Sequence, residues 1–212
     1  MHEFYKRIEP KQHVIWDWNG TLLADLDHAL TVVNRLLSEE GLPTTTLEDY
    51  KRDFGFPVVD YYRRLGFNTE PAYYHELCEK FNEYFHAGLK DCDLWPGARG
   101  VLTQIKQQGK MQSILSATEH ELLQRSMEIF KIGHHFDFVT GIGDKKAGSK
   151  VDQGHQLMRK AGIAKDATIL IGDTDHDHEV AEALGIDLIL VEHGHQCATR
   201  LRDIHHTVLK IF

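Results

Sequence analysis

The sequence predicts an α/β fold: a parallel sheet covered by helices on both faces, with a small all-helical unit inserted near its start. Three observations predict it. Short apolar runs recur along the chain, and several stop at a residue that carries chemistry. Between them lie stretches with apolar residues at helical spacing, the alternation that builds parallel sheets. From residue 22 to about 90, by contrast, helical periodicity continues with no convincing strand.

The first apolar run, His13-Val14-Ile15-Trp16, ends at Asp17-Trp18-Asn19-Gly20-Thr21. It reads as a buried strand presenting a carboxylate at its carboxyl end, the edge where open α/β sheets bind ligands. A helix over 25–40 follows, with Leu26, Leu30, Val33, Leu36 and Leu37 on one face and Gly41 as its stop. Thr46 opens another helix, and with Asp49 it resembles a capping box. Phe54-Gly55-Phe56-Pro57 breaks the pattern. Helices over 58–65 and 71–87 come next, the second with Tyr74, Leu77, Cys78, Phe81 and Phe85 as a core stripe.

Trp95-Pro96-Gly97 punctuates the chain. Helices are then predicted over 98–107, 119–130, 151–161 and 178–184. Strands are predicted over 111–115, 136–140, 168–171 and 188–191, before a final short helix and strand. The sheet-forming core therefore comprises 1–21 and 91–212, and the helical insert 22–90.

Composition narrows the function. The 212 residues are 42% hydrophobic and 26% charged, as in an ordinary globular protein. A net charge of -8 argues against nucleic acid or an anionic membrane as partner. No apolar run approaches the ~20 residues of a membrane span, and residues 1–12 lack the pattern of a secretory signal. Cys78, Cys92 and Cys197 show no CxxC spacing, so a reduced, cytoplasmic setting is expected. The 15 histidines read as surface and helix-end residues. A second metal site around His193 and His195 is the sharper alternative, but the cluster lacks the ligand set of a known zinc site.

Three further places lie just after predicted core strands. Ser116 follows Ile114-Leu115, and Lys150 opens a helix after the loop at 141–146. Gly172-Asp173-Thr174-Asp175-His176-Asp177 follows Thr168-Ile169-Leu170-Ile171. All converge with Asp17 on one sheet edge. Asp17 and Asp173 are hard oxygen ligands suited to Mg²⁺. Ser116 offers a hydrogen bond to a phosphate oxygen, and Lys150 adds charge where a helix N-terminus already favours anions. The set suits phosphoryl transfer with Asp17 as nucleophile. Plainer roles compete: a strand-end cap for Asp17, a helix N-cap for Ser116, solvated loop positions for Asp175 and His176. Lys145 and Lys146 compete with Lys150, and Lys51 and Arg52 read as a solvated helix face.

On these residues the chain resembles the haloacid dehalogenase-like hydrolase superfamily, in its phosphoglycolate-phosphatase-like group with a helical cap after the first motif. Asp17-x-Asn19-Gly20-Thr21 resembles the first motif, normally Asp-x-Asp-Gly-Thr. Ser116 stands for the second, Lys150 for the third, and Asp173 with Asp177 for the fourth, Gly-Asp-x-x-x-Asp. Phe54-Gly55-Phe56-Pro57 and Trp95-Pro96-Gly97 also resemble the family, at the cap and at re-entry to the core. The likeness spans nearly the whole chain. It implies a Rossmann-like core, a helical-bundle cap and a Mg²⁺-dependent phosphatase of a small phosphorylated metabolite. It also implies that Asp17, the backbone carbonyl of Asn19 and Asp173 hold Mg²⁺, with Asp177 orienting the site or joining through water. Thr21 and Ser116 would hold the phosphoryl group, and Lys150 would neutralise it and steady Asp17.

Asn19 departs from the pattern. Family phosphatases carry Asp there, which protonates the leaving group and then activates water. An amide has no titratable proton, and such acid–base help is typically worth about 10²–10⁴ in rate. Four readings follow. The enzyme hydrolyses esters with good leaving groups, or another base serves, with His176 and Glu119 the nearest in sequence. The protein holds phosphorylated ligands with little or no turnover. The chemistry differs, as in carbon–phosphorus cleavage with Lys51 as cap lysine; carbon–halogen cleavage conflicts with Asp173. Or Asn19-Gly20 is an engineered or deamidating pair. A phospho-receiver domain, a different class, would place its acidic pair near its first strand and need no helical insert.

Overall fold

The structure, a computed structural model, describes residues 1–143 and 149–212. Helix α1 (His2–Ile8) leads into β1 (His13–Trp16) and a short β2 (Leu23–Ala24). Four helices follow: α2 (Leu26–Glu39), α3 (Leu47–Asp53), α4 (Val58–Arg64) and α5 (Pro71–Gly88). After β3 (Asp93–Leu94) the chain alternates: α6 (Ala98–Gln107), β4 (Met111–Glu119), α7 (His120–Phe130), β5 (Phe138–Ile142). It ends with α8 (Lys150–Ala161), β6 (Thr168–Gly172), α9 (Asp175–Leu184), β7 (Asp187–Val191), α10 (Ala198–Ile204) and β8 (Val208–Leu209).

Six strands form a parallel sheet in the order β5-β4-β1-β6-β7-β8. Side chains alternate across it, so each strand must be apolar on both faces. Val14 and Trp16 join one core cluster with Phe4, Leu102 and Met127, while Ile15 joins the other with Leu157, Val180 and Leu201. Thus α1, α6 and α7 supply one face and α8, α9 and α10 the other. The first cluster continues into the insert through Tyr50, Tyr61 and Tyr62. Central β1 pairs with β4 and β6, setting Ile15 opposite Ser113 and Leu170. This register brings the carboxyl ends of β1 and β6 side by side, and the Asp17 N–H donates to the Ile171 carbonyl at 2.8 Å.

Several expectations need correction. Helix α1 forms where only polar chain was read, because Phe4 and Ile8, one turn apart, are both fully buried. The stretch from 22 to 90 is not free of strand: β2 pairs antiparallel with β3, tying the two ends of the insert together. Strand β4 runs past Leu115, with a register shift before Glu119, so Ser116 lies within it. Helix α9 starts at Asp175, three residues earlier than predicted, because Thr174 and Asp177 form a capping box there. Lys145 and Lys146 lie outside the described residues. No described helix is long and apolar enough to cross a membrane.

His13 lies on β1, fully buried and bonded through Nε2 to the Ser113 hydroxyl at 2.8 Å. Burial, opposed by Asp137, holds its imidazole down at about 4. Its stabilising contribution is complete above the unfolded value of about 6.5 and is lost as pH falls toward the folded value. Between about pH 7.5 and pH 5 the loss should reach about 2 kcal/mol. Urea denaturation across that range checks it: His13→Gln should lose this part of the acid slope.

Candidate functional site

The carboxyl ends of β1 and β6 deliver three buried carboxylates, Asp17, Asp173 and Asp177, with oxygens within 4.8 Å of one another. Gly172 makes this crowding feasible: a Cβ there would lie 2.2 Å from Asp177 Cγ. Asp177 sits in the first turn of α9 and folds its Oδ2 back onto three donors. These are the Asp173 N–H at 3.1 Å, the Thr174 N–H at 3.0 Å and the Thr174 hydroxyl at 2.8 Å. This cap is what starts α9 at Asp175, and an acid is favourable at that end of the helix dipole.

Lys150, the first residue of α8, is held in place by the capping box of Ser149 and Asp152. Its ammonium lies 2.6 Å from Asp177 Oδ1 and 2.9 Å from Asp17 Oδ1. Burial pushes the Asp17 carboxyl up to about 8, against the pull of Lys150. Burial likewise lifts Asp173 to about 6, despite His195. For Asp177, Lys150 outweighs burial and the carboxyl falls below its usual range. Lys150 is shared between Asp17 and Asp177, and the charge of His195 is shared with Asp25, so the three carboxylates remain short of positive charge. A buried, oxygen-only donor set short of positive charge suits a hard divalent cation.

Asp17 Oδ1 faces Lys150, while no described residue bonds its Oδ2. Asp17, Ser116 and Lys150 all line one cavity of about 590 Å³ that extends into the insert. Ser116 accepts from the Thr118 N–H at 3.1 Å and donates to its hydroxyl at 3.2 Å. Thr21 departs from its expected role: its hydroxyl donates to Asp173 Oδ1 at 2.8 Å rather than facing the cavity. The other Asp173 oxygen accepts from the His195 N–H at 2.7 Å.

Asn19 is bonded at both ends of its amide. Oδ1 accepts from the Thr118 hydroxyl at 2.8 Å, and Nδ2 donates to Asp25 Oδ2 at 2.7 Å. Asp25 also accepts from the Gly20 N–H at 2.8 Å and meets His195 Nε2 at 3.3 Å. His195 Nδ1 lies 3.0 Å from the Tyr50 hydroxyl, which links the site to the insert. Burial alone would lower His195, but Asp25, then Asp173 and Asp17, hold it up at about 9. His195 therefore sits between Asp25 and Tyr50 as a buried cation. Gly20, with φ +71°, permits this approach, since a Cβ would meet Asp173 Oδ2 at 2.3 Å.

Asp25, His195, Tyr50 and Thr118 were not singled out in the sequence for this role. Asp25 reads there only as a helix start, and the other three lie far from Asn19 along the chain. His193 bonds the Thr21 carbonyl at 3.2 Å, so the two histidines serve different partners. Among the described residues the acidic trio is the one group of metal-ligating side chains. His176 stacks on Phe56 at 4.6 Å and bonds Glu179 at 3.0 Å. Lys51 reaches the Glu192 carbonyl at 3.5 Å and does not line the cavity.

Residues 14–191 match the haloacid dehalogenase-like hydrolase family, and the chain belongs to it. It is similar to a phosphoglycolate phosphatase of Pseudomonas putida, 23% identical over 190 residues, 86% of this chain and 70% of that one. It is also similar to the tyrosine-protein kinase PtkA of Mycobacterium tuberculosis, 23% identical over 202 residues, 95% of this chain and 69% of that one. A predicted phosphatase from Clostridium acetobutylicum has the same fold, with TM-score 0.82 and 21% identity over 95% of this chain and 94% of that one.

Removing one member of a buried ion pair is costly, because it leaves its partners' charge buried alone. Lys150→Met should therefore lose about 3 kcal/mol of stability near pH 8. The loss should shrink as pH falls from about 9 to about 5, where first Asp17 and then Asp173 take up protons. Denaturation of both proteins across this range reads the effect, and a loss independent of pH would assign it to packing instead of charge.

Proposed function

We propose that this chain is a Mg²⁺-dependent phosphatase of a small phosphorylated compound, working through an aspartyl-phosphate on Asp17. The observation that carries this reading is Asp17 itself. It is a buried strand-end carboxylate with one oxygen held by Lys150 and the other left to a cavity, beside a second carboxylate that makes no ion pair with a lysine or arginine among the described residues. The phosphoglycolate phosphatase relative supports the same class. Asp17 Oδ2 attacks phosphorus, the bond to the ester oxygen breaks, and the electron pair leaves with that oxygen. Water then attacks the acyl phosphate and restores the carboxylate. Asp17, the Asn19 carbonyl and Asp173 would hold Mg²⁺, which neutralises phosphate charge when bound. Asp177 positions Lys150, and Ser116 stands at the phosphoryl pocket. Residues 22–90 act as the cap over a core of 1–21 and 91–212, excluding water from the cavity. A reduced, cytoplasmic setting suits the free cysteines.

The Asn19 amide supplies no proton in either step. The second step, in which water needs a base, should therefore limit turnover. With 4-nitrophenyl phosphate and Mg²⁺, we expect a burst of nitrophenol of about one equivalent, then slow release. In Asn19→Asp the new carboxyl would stand against Asp25, and two carboxyls at that distance share a proton. With that proton on Asp25, the carboxylate at position 19 would serve as base for the attacking water, and steady turnover should rise by about 10²–10⁴. Stopped-flow absorbance measures both phases; no metal-dependent release from either protein would sink the phosphatase reading.

Mg²⁺ must displace protons from Asp17 and Asp173, whose carboxyls lie at about 8 and about 6. Affinity should therefore fall as pH drops from about 8.5 to 6, roughly tenfold per unit for each proton displaced. Calorimetry in buffers of differing ionisation enthalpy counts those protons, and binding without proton release would contradict the assigned ligands.

Asn19 also favours a second reading, a protein that holds phosphoryl ligands and turns them over little. It predicts Mg²⁺-dependent capture of beryllofluoride, abolished in Asp17→Ala, with no second-phase turnover even in Asn19→Asp. The carbon–phosphorus reading has less support, since Lys150 is the sole lysine lining the cavity among the described residues. PtkA, similar over most of this chain, is named as a kinase. An assay with ATP and a tyrosine acceptor covers that outcome, and transfer to the acceptor in preference to water would replace the hydrolase assignment.

A further inference from the structure

We propose that the substrate is an aryl phosphate, a phosphate monoester of a phenol-like alcohol, whose ring lies in the cavity between Asp17 and the helices of the insert. This rests on the phosphatase reading and names the substrate class that its site takes. The cavity, about 590 Å³, lies within the range of roughly 300–1,000 Å³ that holds drug-sized ligands. Away from the carboxylates its wall is built by Tyr50, Phe54, Phe56, Tyr62, Phe81 and Phe85. Stacked and edge-on ring pairs already line it: Tyr50 on Phe54 at 5.2 Å, Phe81 on Phe85 at 5.7 Å, Tyr62 against Tyr74 at 6.1 Å. Offset and edge-on geometries are how a further ring would bind such a wall.

The charge of the wall points the same way. Among the described residues no arginine lines the cavity, and its one lysine, Lys150, is committed to Asp17 and Asp177. Burial lowers the His86 imidazole, which leaves it neutral. His195 is already paired with Asp25. A small anionic leaving group such as glycolate would find no free cation there, and desolvating its carboxylate would be unfavourable. Tyr61 adds a second signal. It lines the cavity and is fully buried, and its hydroxyl has no hydrogen-bond partner among the described residues. Buried hydroxyls are normally satisfied, so this one suits a single polar group on a bound ring.

Leaving-group chemistry supports the assignment independently. Asn19 cannot protonate the departing oxygen, so the ester oxygen must leave with its negative charge. Phenols ionise near pH 10, as tyrosine does, far below aliphatic alcohols. An aryl oxide therefore departs from this site with least need of an acid.

The test compares 2-naphthyl phosphate, phosphoglycolate and acetyl phosphate, the last having a good leaving group but no ring. Affinities are measured by calorimetry with Asp17→Asn and Mg²⁺, and turnover with the wild-type protein. The expected result is naphthyl phosphate bound about tenfold or more tighter than either other ester, and hydrolysed. Phe81→Arg, which puts a cation into the ring pocket, should narrow that ratio in favour of phosphoglycolate. Naphthyl phosphate bound no tighter than phosphoglycolate, with acetyl phosphate still hydrolysed, would overturn the substrate assignment and leave the phosphatase reading standing. No metal-dependent turnover of any ester, acetyl phosphate included, would overturn both.

Discussion

The arrangement around the sheet edge depends on one constraint: β1 and β6 must present Asp17 and Asp173 side by side in a place that excludes water. Parallel pairing fixes the first half, because the Asp17 N–H is itself bonded to the last turn of the β6 ladder at Ile171. Apolar strands covered on both faces fix the second. Like charges so confined are mutually destabilising, and the surrounding structure answers that problem. Asp177 is spent on a helix cap and on Lys150, Asp173 on Thr21 and the His195 N–H. Among the described residues, Asp17 is the member of the trio that keeps an oxygen without a partner. The least stabilised carboxylate in the cluster is thus the one that faces the cavity, which is where a nucleophile belongs.

Asn19 reads differently in three dimensions than along the chain. In the sequence it is a missing acid. In the structure it is an amide in surroundings that require one, with a hydroxyl donor on its oxygen side and the Asp25 carboxylate on its nitrogen side. Asp25 is kept anionic: burial favours its neutral form, but His195, Asn19 and the Gly20 N–H together hold its carboxyl below the usual range. A carboxylate at position 19 would face repulsion that the amide avoids. This is difficult to square with Asn19 as an isolated replacement, since Thr118, Asp25, His195 and Tyr50 are all placed to suit it. The network also runs from the first motif to α3, so the state of Asn19 and the seating of the insert are mechanically joined through Tyr50.

Much of the fold was legible because the signals were local. The run His13-Val14-Ile15-Trp16 is β-branched and aromatic, and it could be read as a strand buried on both sides. Helices α2 and α6 carry clean apolar stripes, and their predicted bounds agree within one residue. What escaped depends on distant partners. Helix α1 is short and polar but for Phe4 and Ile8, and only the core it packs against shows why it forms. The ribbon of β2 and β3 joins residues some 70 positions apart. At the site, Asp17, Ser116, Lys150, Asp173 and Asp177 were each readable from their place after a strand or at a helix start. Thr21 was read toward the phosphoryl group, whereas its hydroxyl turns to Asp173. Asp25 and His195 meet only because the loop after β7 passes the carboxyl end of β6 and reaches the loop that follows β1.

The aromatic cavity and the amide at position 19 bear on the same chemical question from opposite ends. A site that lacks an acid selects for leaving groups that need none, and a wall of uncharged rings selects for leaving groups that are themselves apolar. Each selection taken alone admits many compounds; together they would narrow the choice to aryl esters. The same pairing has a cost in the second half of the cycle. Apolar walls would keep water scarce around Asp17, and the Asn19 amide cannot activate what enters. An acyl phosphate formed there would outlast one formed beside a carboxylate. Slow release of phosphate would then follow from the construction of the pocket, and a phosphoryl group held on Asp17 would be the state in which the protein spends most of its cycle.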